Sequence, residues 1–184
     1  MTTKTLLIPA ALLATASLSL LPGASTSAPD LARETSDRAS LAKLQACASS
    51  AERQADQLAQ FLQNRNLSVD AHLGKLDAIK GEINKMGREA ARLESDRASL
   101  PPLEQQAVDK TLPMLQQAAV NLTSAYSFIR ENGDQLWSPA YRDYTNNILQ
   151  ESGQVAKTLG DYLKYAKLQE QELQLQHNLP VGGN

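Results

Sequence analysis

Apolar residues recur in this chain at alternating steps of three and four residues, and they do so in four segments separated by proline, glycine and asparagine. Such a step places the apolar side chains on one stripe of an α-helix, and a stripe has to be buried against partner helices. The first segment, Asp30 to about Asn64, carries Leu41, Leu44, Ala48, Ala51, Ala55, Leu58 and Leu62. The second, Ser68 to about Ser99, carries Val69, His72, Leu76, Ile79, Ile83, Met86, Ala90, Leu93 and, beyond Arg97, Leu100. The third, Pro101 to about Asn132, carries Val108, Leu112, Leu115, Ala119, Leu122, Tyr126 and Ile129. In the fourth, Pro139 to about His177, the stripe is Tyr141, Ile148, Ser152, Val155, Leu159, Tyr162 and Ala166.

The breaks are as legible as the helices. Asn64-Arg65-Asn66 closes the first, Ser68 caps the second, Leu100-Pro101-Pro102 turns into the third, and Asn132-Gly133-Asp134 ends it. Ser138-Pro139 opens the fourth with an N-cap serine and a proline in the first helical turn. Short loops between helices of ~30 residues, each ~45 Å long, make neighbours antiparallel, so the expected fold is all-α: an up-down-up-down four-helix bundle. Pro113 should kink the third helix by removing the bond to the carbonyl of Asp109.

The N-terminus reads as an address. Lys4 precedes an apolar run from Leu6 to Leu21 and then the small-residue segment Pro22 to Ala28, the layout of a secretory signal peptide. The run falls short of the ~20 residues of a membrane-spanning helix. Cleavage is expected after Ser27 or Ala28; Pro29 directly after the second site makes the first a competitor, and retention would leave a membrane anchor. The expected organisation is a signal peptide over 1–28, a bundle domain over 29–177 and a disordered tail over 178–184. The protein is thus expected to be periplasmic or extracellular.

Composition excludes several classes of function. Without Lys4, 17 of the 18 basic residues face 20 acidic ones, so there is no excess of positive charge to displace counterions from a nucleic acid. On the outer face of the second helix Asp77–Lys80, Glu82–Lys85, Glu89–Arg92 and Glu94–Arg97 form a self-cancelling ladder that supports helicity. Two histidines without a His-x-x-x-His or Glu-x-x-His pattern leave zinc and di-iron centres unsupported, and no Cys-x-x-Cys-His exists for covalent haem. Neither a metal nor another cofactor is expected, and no catalytic residues are assigned.

Three groups of residues are candidate sites. Antiparallel topology brings Phe61, His72, Phe128, Trp137, Tyr141 and Tyr144 to one pole, either as an aromatic plug with wet polar tips or as a shallow apolar pocket. Cys47, the single cysteine, flanks the seam as a small buried hydrophobe or forms an intermolecular disulfide. Gly74 and Gly81 on the second helix, and Gly153 and Gly160 on the fourth, lie one heptad apart on what reads as the outward face, where tolerance competes with close approach of a second copy or a partner helix. Ala48, Ala51 and Ala55 are expected to pack against Tyr126 and Tyr162 in filled layers.

A seam almost wholly apolar, with no clustered carboxylates or histidines, points away from the enzymes of this fold. The expectation is a non-enzymatic, exported soluble bundle that contacts a protein partner or another copy of itself, as an interaction or structural module of the cell envelope or extracellular space. The alternative is a carrier or sensor of a small apolar ligand at the aromatic pole.

Overall fold

The computed structural model describes residues 28–178 except 65 and 134, and every regular element among these residues is a helix. Helix α1 spans Ala28–Phe61, α2 Val69–Ser95, α3 Pro102–Asn132 and α4 Pro139–Asn178, with a 3-10 turn over Arg97–Ser99. The signal-peptide reading lies outside the described residues as far as residue 27, as does the tail reading from residue 179 onward; Asn178 closes α4 instead of starting the tail. Among the described residues no helix is long and apolar enough to cross a membrane.

The expected caps form. Ser68 Oγ accepts from the amide of Ala71 and Ser138 Oγ from that of Tyr141, each at 3.3 Å, which satisfies helix-start donors that would otherwise lack partners. Gly133 ends α3 at φ 54°, a backbone conformation that suits glycine. Helix α3 continues through Pro113, whose ring lies on the exposed side.

Each helix packs on its chain neighbours, and α4 closes the ring on α1. The pairs are antiparallel: Lys75 near the start of α2 donates to Gln54 near the end of α1 at 2.9 Å, while Arg92 near the end of α2 meets Asp37 near the start of α1 at 3.3 Å. The stripes of α1, α2 and α4 face inward and are buried from Leu41 to Leu58, from His72 to Leu93, and from Tyr141 to Ala166 with Tyr162 half-covered. Helix α3 departs from its expected register. Leu112, Ala119 and Tyr126 are only half-buried, and the covered face instead combines Val108, Leu115, Leu122 and Ile129 with Glu104, Ala107, Thr111, Ala118, Asn121 and Ala125. The reason is that α3 packs far more closely on α4 than on α2.

Two further expectations are corrected. Tyr126 and Tyr162 do not fill the layers of Ala48, Ala51 and Ala55; both rings are half-exposed, and the Tyr126 hydroxyl donates to Asp77. The alanines are fully buried by close approach of α4. Gly153 and Gly160 belong to that approach and do not face outward: a Cβ on Gly153 would stand 2.9 Å from Glu52 Oε1, and one on Gly160 3.6 Å from Gln45 Nε2. Gly74 and Gly81 are exposed, as read.

The pole at the start of α1 and α3 is closed by charges. Arg92 reaches Asp37, the Ser40 hydroxyl and Asp96; Arg38 bridges buried Glu104 at 3.6 Å and Glu170; Arg97 donates to both carboxylate oxygens of Asp109 from Nε and Nη2. None of Asp37, Arg38 or Glu104 was singled out in the sequence, although Glu104 lies four residues before Val108 and so continues the α3 stripe.

Candidate functional site

At the opposite pole the aromatic residues meet. Phe61 meets the His72 ring edge-on with centroids 5.7 Å apart, the Phe128 ring stacks on Tyr141 at 5.8 Å, and Tyr144 meets Phe128 edge-on at 6.4 Å. His72 and Tyr141 are both buried, with His72 Nδ1 3.3 Å from the Tyr141 hydroxyl. Tyr141 therefore departs from the expectation of a wet polar tip: its hydroxyl finds a partner inside, and burial holds its pKa well above the usual phenol value. Burial likewise lowers the pKa of His72 by disfavouring the imidazolium. Trp137 stays outside this cluster, 46 % exposed, while its neighbour Leu136 is buried. The space left among Phe61, His72, Leu136 and Trp137 is about 20 Å³, close to the ~10–15 Å³ that one water requires.

Open space lies elsewhere, along the flank where α2 and α3 diverge. Two adjoining cavities of about 650 and 790 Å³ share Ile83, Asn84 and Ala119 and together run from the level of Leu73 to that of Glu94. At 1.5 Å per residue this groove is about 30 Å long. Its walls include Leu73, Ile83, Leu112, Leu115, Leu122 and Tyr126, so the half-buried residues of the α3 stripe face it. Small residues on α2, Gly87, Ala90 and Ala91, line the half toward Glu94, and Ala119 on α3 lies where the two cavities meet. A Cβ on Gly87 would meet nothing within 4 Å.

The charges along the groove are of unequal availability. Asp77 is taken by the Tyr126 hydroxyl, and Lys80 lies over the Tyr126 ring at 5.5 Å, so the Asp77–Lys80 rung of the expected ladder is replaced by a cross-helix contact. Glu82–Lys85 forms at 2.9 Å, while Glu89–Arg92 and Glu94–Arg97 are looser, at 3.9 Å each. Lys80 and Arg88 have no carboxylate partner among the described residues, and Arg130 has only the loose, exposed contact to Glu131 at 3.9 Å.

No family model, curated protein or solved structure matches this chain.

Cys47 lies half-buried on the α1–α2 flank, apart from both the pole and the groove. Burial first, and the nearby Glu82 carboxylate second, push its pKa up, so the thiol stays protonated at neutral pH. Among the described residues no three His, Cys, Asp or Glu side chains converge to hold a metal ion. Asn121, in the acceptor-like triplet Asn121-Leu122-Thr123, is buried and donates to the Gln117 carbonyl at 3.0 Å, so it offers no surface for a sugar. The groove was not foreseen as a site. Its signal was present in the seven-residue spacing of Leu112, Ala119 and Tyr126, which read as core.

Proposed function

We propose that the protein is an exported, non-catalytic interaction module of the cell envelope or extracellular space, and that it engages its partner through the face between α2 and α3. The observation that carries this reading is the groove: of the four neighbouring helix pairs α2 and α3 pack least closely, and they leave an apolar trough open along about 30 Å, longer and larger than the cavity of about 350 Å³ on the α3–α4 flank. Export is supported by the composition and order of residues 1–28. The carrier alternative draws on the same aromatic pole, where the remaining space of about 20 Å³ is too small for an apolar ligand.

The reading is tested by placing a photo-crosslinking residue at Thr123, on the groove, and at Gln154, on the exposed side of α4, in the full chain expressed in its native host. A discrete adduct from position 123 and none from 154 is the expected result. Equal labelling, or none at either position, overturns it. N-terminal sequencing of the exported protein should start at Ala28 or Pro29, and recovery of an intact Met1 would mean that the segment stays attached.

A further inference from the structure

We infer that the occupant of the α2–α3 groove is one amphipathic helix of a partner protein, apolar on the face it inserts and carrying carboxylates on its flanks; this rests on the interaction reading above. Shape restricts the choice first. The groove is a trough between two helices, so it receives a ridge, and the same face of a second copy, also a trough, leaves its floor unfilled. A lipid surface is flat at this scale and cannot reach Ile83 or Leu122 between the two walls. A helix is the ridge that fits: about 30 Å of trough accommodates roughly six turns, and apolar side chains at three and four residue steps meet Leu73 and Leu122, then Ile83, then Leu115.

Charge then selects the flanks. Asp77 is engaged by Tyr126, and the loose 3.9 Å contacts of Glu94 and Arg130 leave one charge of each sign that offset one another, whereas Lys80, over the Tyr126 ring, and Arg88 have no carboxylate partner among the described residues and set the sign of the flank. Lys80 and Arg88 lie eight residues apart on α2, about 12 Å along the helix, so a bound helix presents a carboxylate to each about two turns apart. Gly87, Ala90 and Ala91 in the half of the groove toward Glu94 let its backbone come close there.

The test uses the full mature chain and three labelled 21-residue peptides, followed by fluorescence anisotropy. One has leucines at three and four residue steps with glutamates on the flanks; the second carries lysines for the glutamates; the third has the composition of the first with the leucines scattered. The first peptide should bind about tenfold more tightly than the second, and the third should not bind. Lys80→Glu with Arg88→Glu should reverse the preference between the first two, and Ala119→Trp should weaken both by about tenfold by filling the groove, with helicity unchanged by circular dichroism. A preference untouched by the double charge reversal, binding of the scattered peptide, or absence of binding overturns the inference. So does a concentration-dependent dimer abolished by Ala119→Trp, which names a second copy, or retention on anionic vesicles lost on the charge reversal, which names a membrane. If these outcomes appear while the Thr123 crosslink persists, the interaction reading stands and only the occupant is wrong; loss of the crosslink removes the reading itself.

Discussion

The seam between α1 and α4 and the flank between α2 and α3 are built from the same three-and-four spacing and end in opposite states. On the first, Ala48, Ala51 and Ala55 face a helix that carries Ser152, Gly153, Ala156 and Gly160, and small side chains on both sides let the backbones approach until the layer is dry. On the second, Leu112 and Leu115 of α3 look toward Gly87, Ala90 and Ala91 of α2, with Tyr126 farther along, across a gap that the unmatched sizes do not close. The Tyr126–Asp77 bond and the Lys80–Tyr126 contact span it as struts. An apolar stripe therefore says that a helix needs cover, while matched size across the pair decides whether the neighbour supplies it.

The largest effect should come from removing a leucine on each side of this divide. Leu159→Ala empties a fully buried position and should cost about 2–5 kcal/mol in denaturant unfolding, whereas Leu112→Ala, half-exposed to the groove, should cost about 1 kcal/mol or less. Equal losses would mean that the groove is closed in solution and the contrast between the two faces does not exist. The same Leu112→Ala variant should weaken the acidic peptide, which Leu159→Ala at a temperature where it remains folded should leave unchanged.

Much of this architecture is readable in the residues, and the unread parts share a cause. Caps at Ser68 and Ser138 and the stop at Gly133 are local events, decided within a turn of the residue concerned. The inward stripes follow from periodicity alone. What periodicity cannot resolve is which of two neighbours a helix leans toward. Leu112, Ala119 and Tyr126 obey the same rule as Leu115 and Leu122 yet end on the groove, because α3 rolls toward α4. Gly153 and Gly160 look like surface residues for the matching reason: their place opposite Glu52 and Gln45 depends on the register between α1 and α4, set by residues about a hundred positions away. The aromatic pole was assembled from topology, but the inward turn of Tyr141 toward His72 is a hydrogen-bonding choice made only when both are buried.

A subtler defect of the closed seam should be repairable. Ser152 is fully buried and its Oγ has no hydrogen-bond partner among the described residues, so its hydroxyl gives up water without compensation. Ser152→Ala should raise stability by about 1 kcal/mol. An equivalent change on the open flank, Thr123→Ala, removes an exposed hydroxyl bonded to the Ala119 carbonyl at 2.9 Å and should be nearly neutral. If Ser152→Ala destabilises, the seam is less dry than its packing implies.

Acid should act on the closed end before the groove. With the His72 pKa lowered in the folded protein, the unfolded chain binds a proton first as pH falls through about 6.5. The stability from keeping His72 neutral is therefore complete above that value and is lost progressively as pH drops toward the lowered folded value. Unfolding midpoints measured between pH 7.5 and 5 should fall, and His72→Gln should flatten the slope. A slope that survives the substitution would place the titration elsewhere.

The smallest expected effects separate two kinds of helical glycine. Alanine at Gly81 meets open space and gains helix propensity, so Gly81→Ala should stabilise by about 0.5–1 kcal/mol. Gly153→Ala has the same intrinsic gain, but its Cβ meets Glu52 Oε1 at 2.9 Å, and the carboxylate, at the free end of a flexible side chain, has to move. The net change there should be close to zero. A gain at Gly153 equal to that at Gly81 would show that α1 and α4 stand farther apart than the packing of Ala48, Ala51 and Ala55 requires, and would make the two flanks of the bundle alike; a clear gap between the two variants fixes the close approach on one side while leaving the other free for a partner.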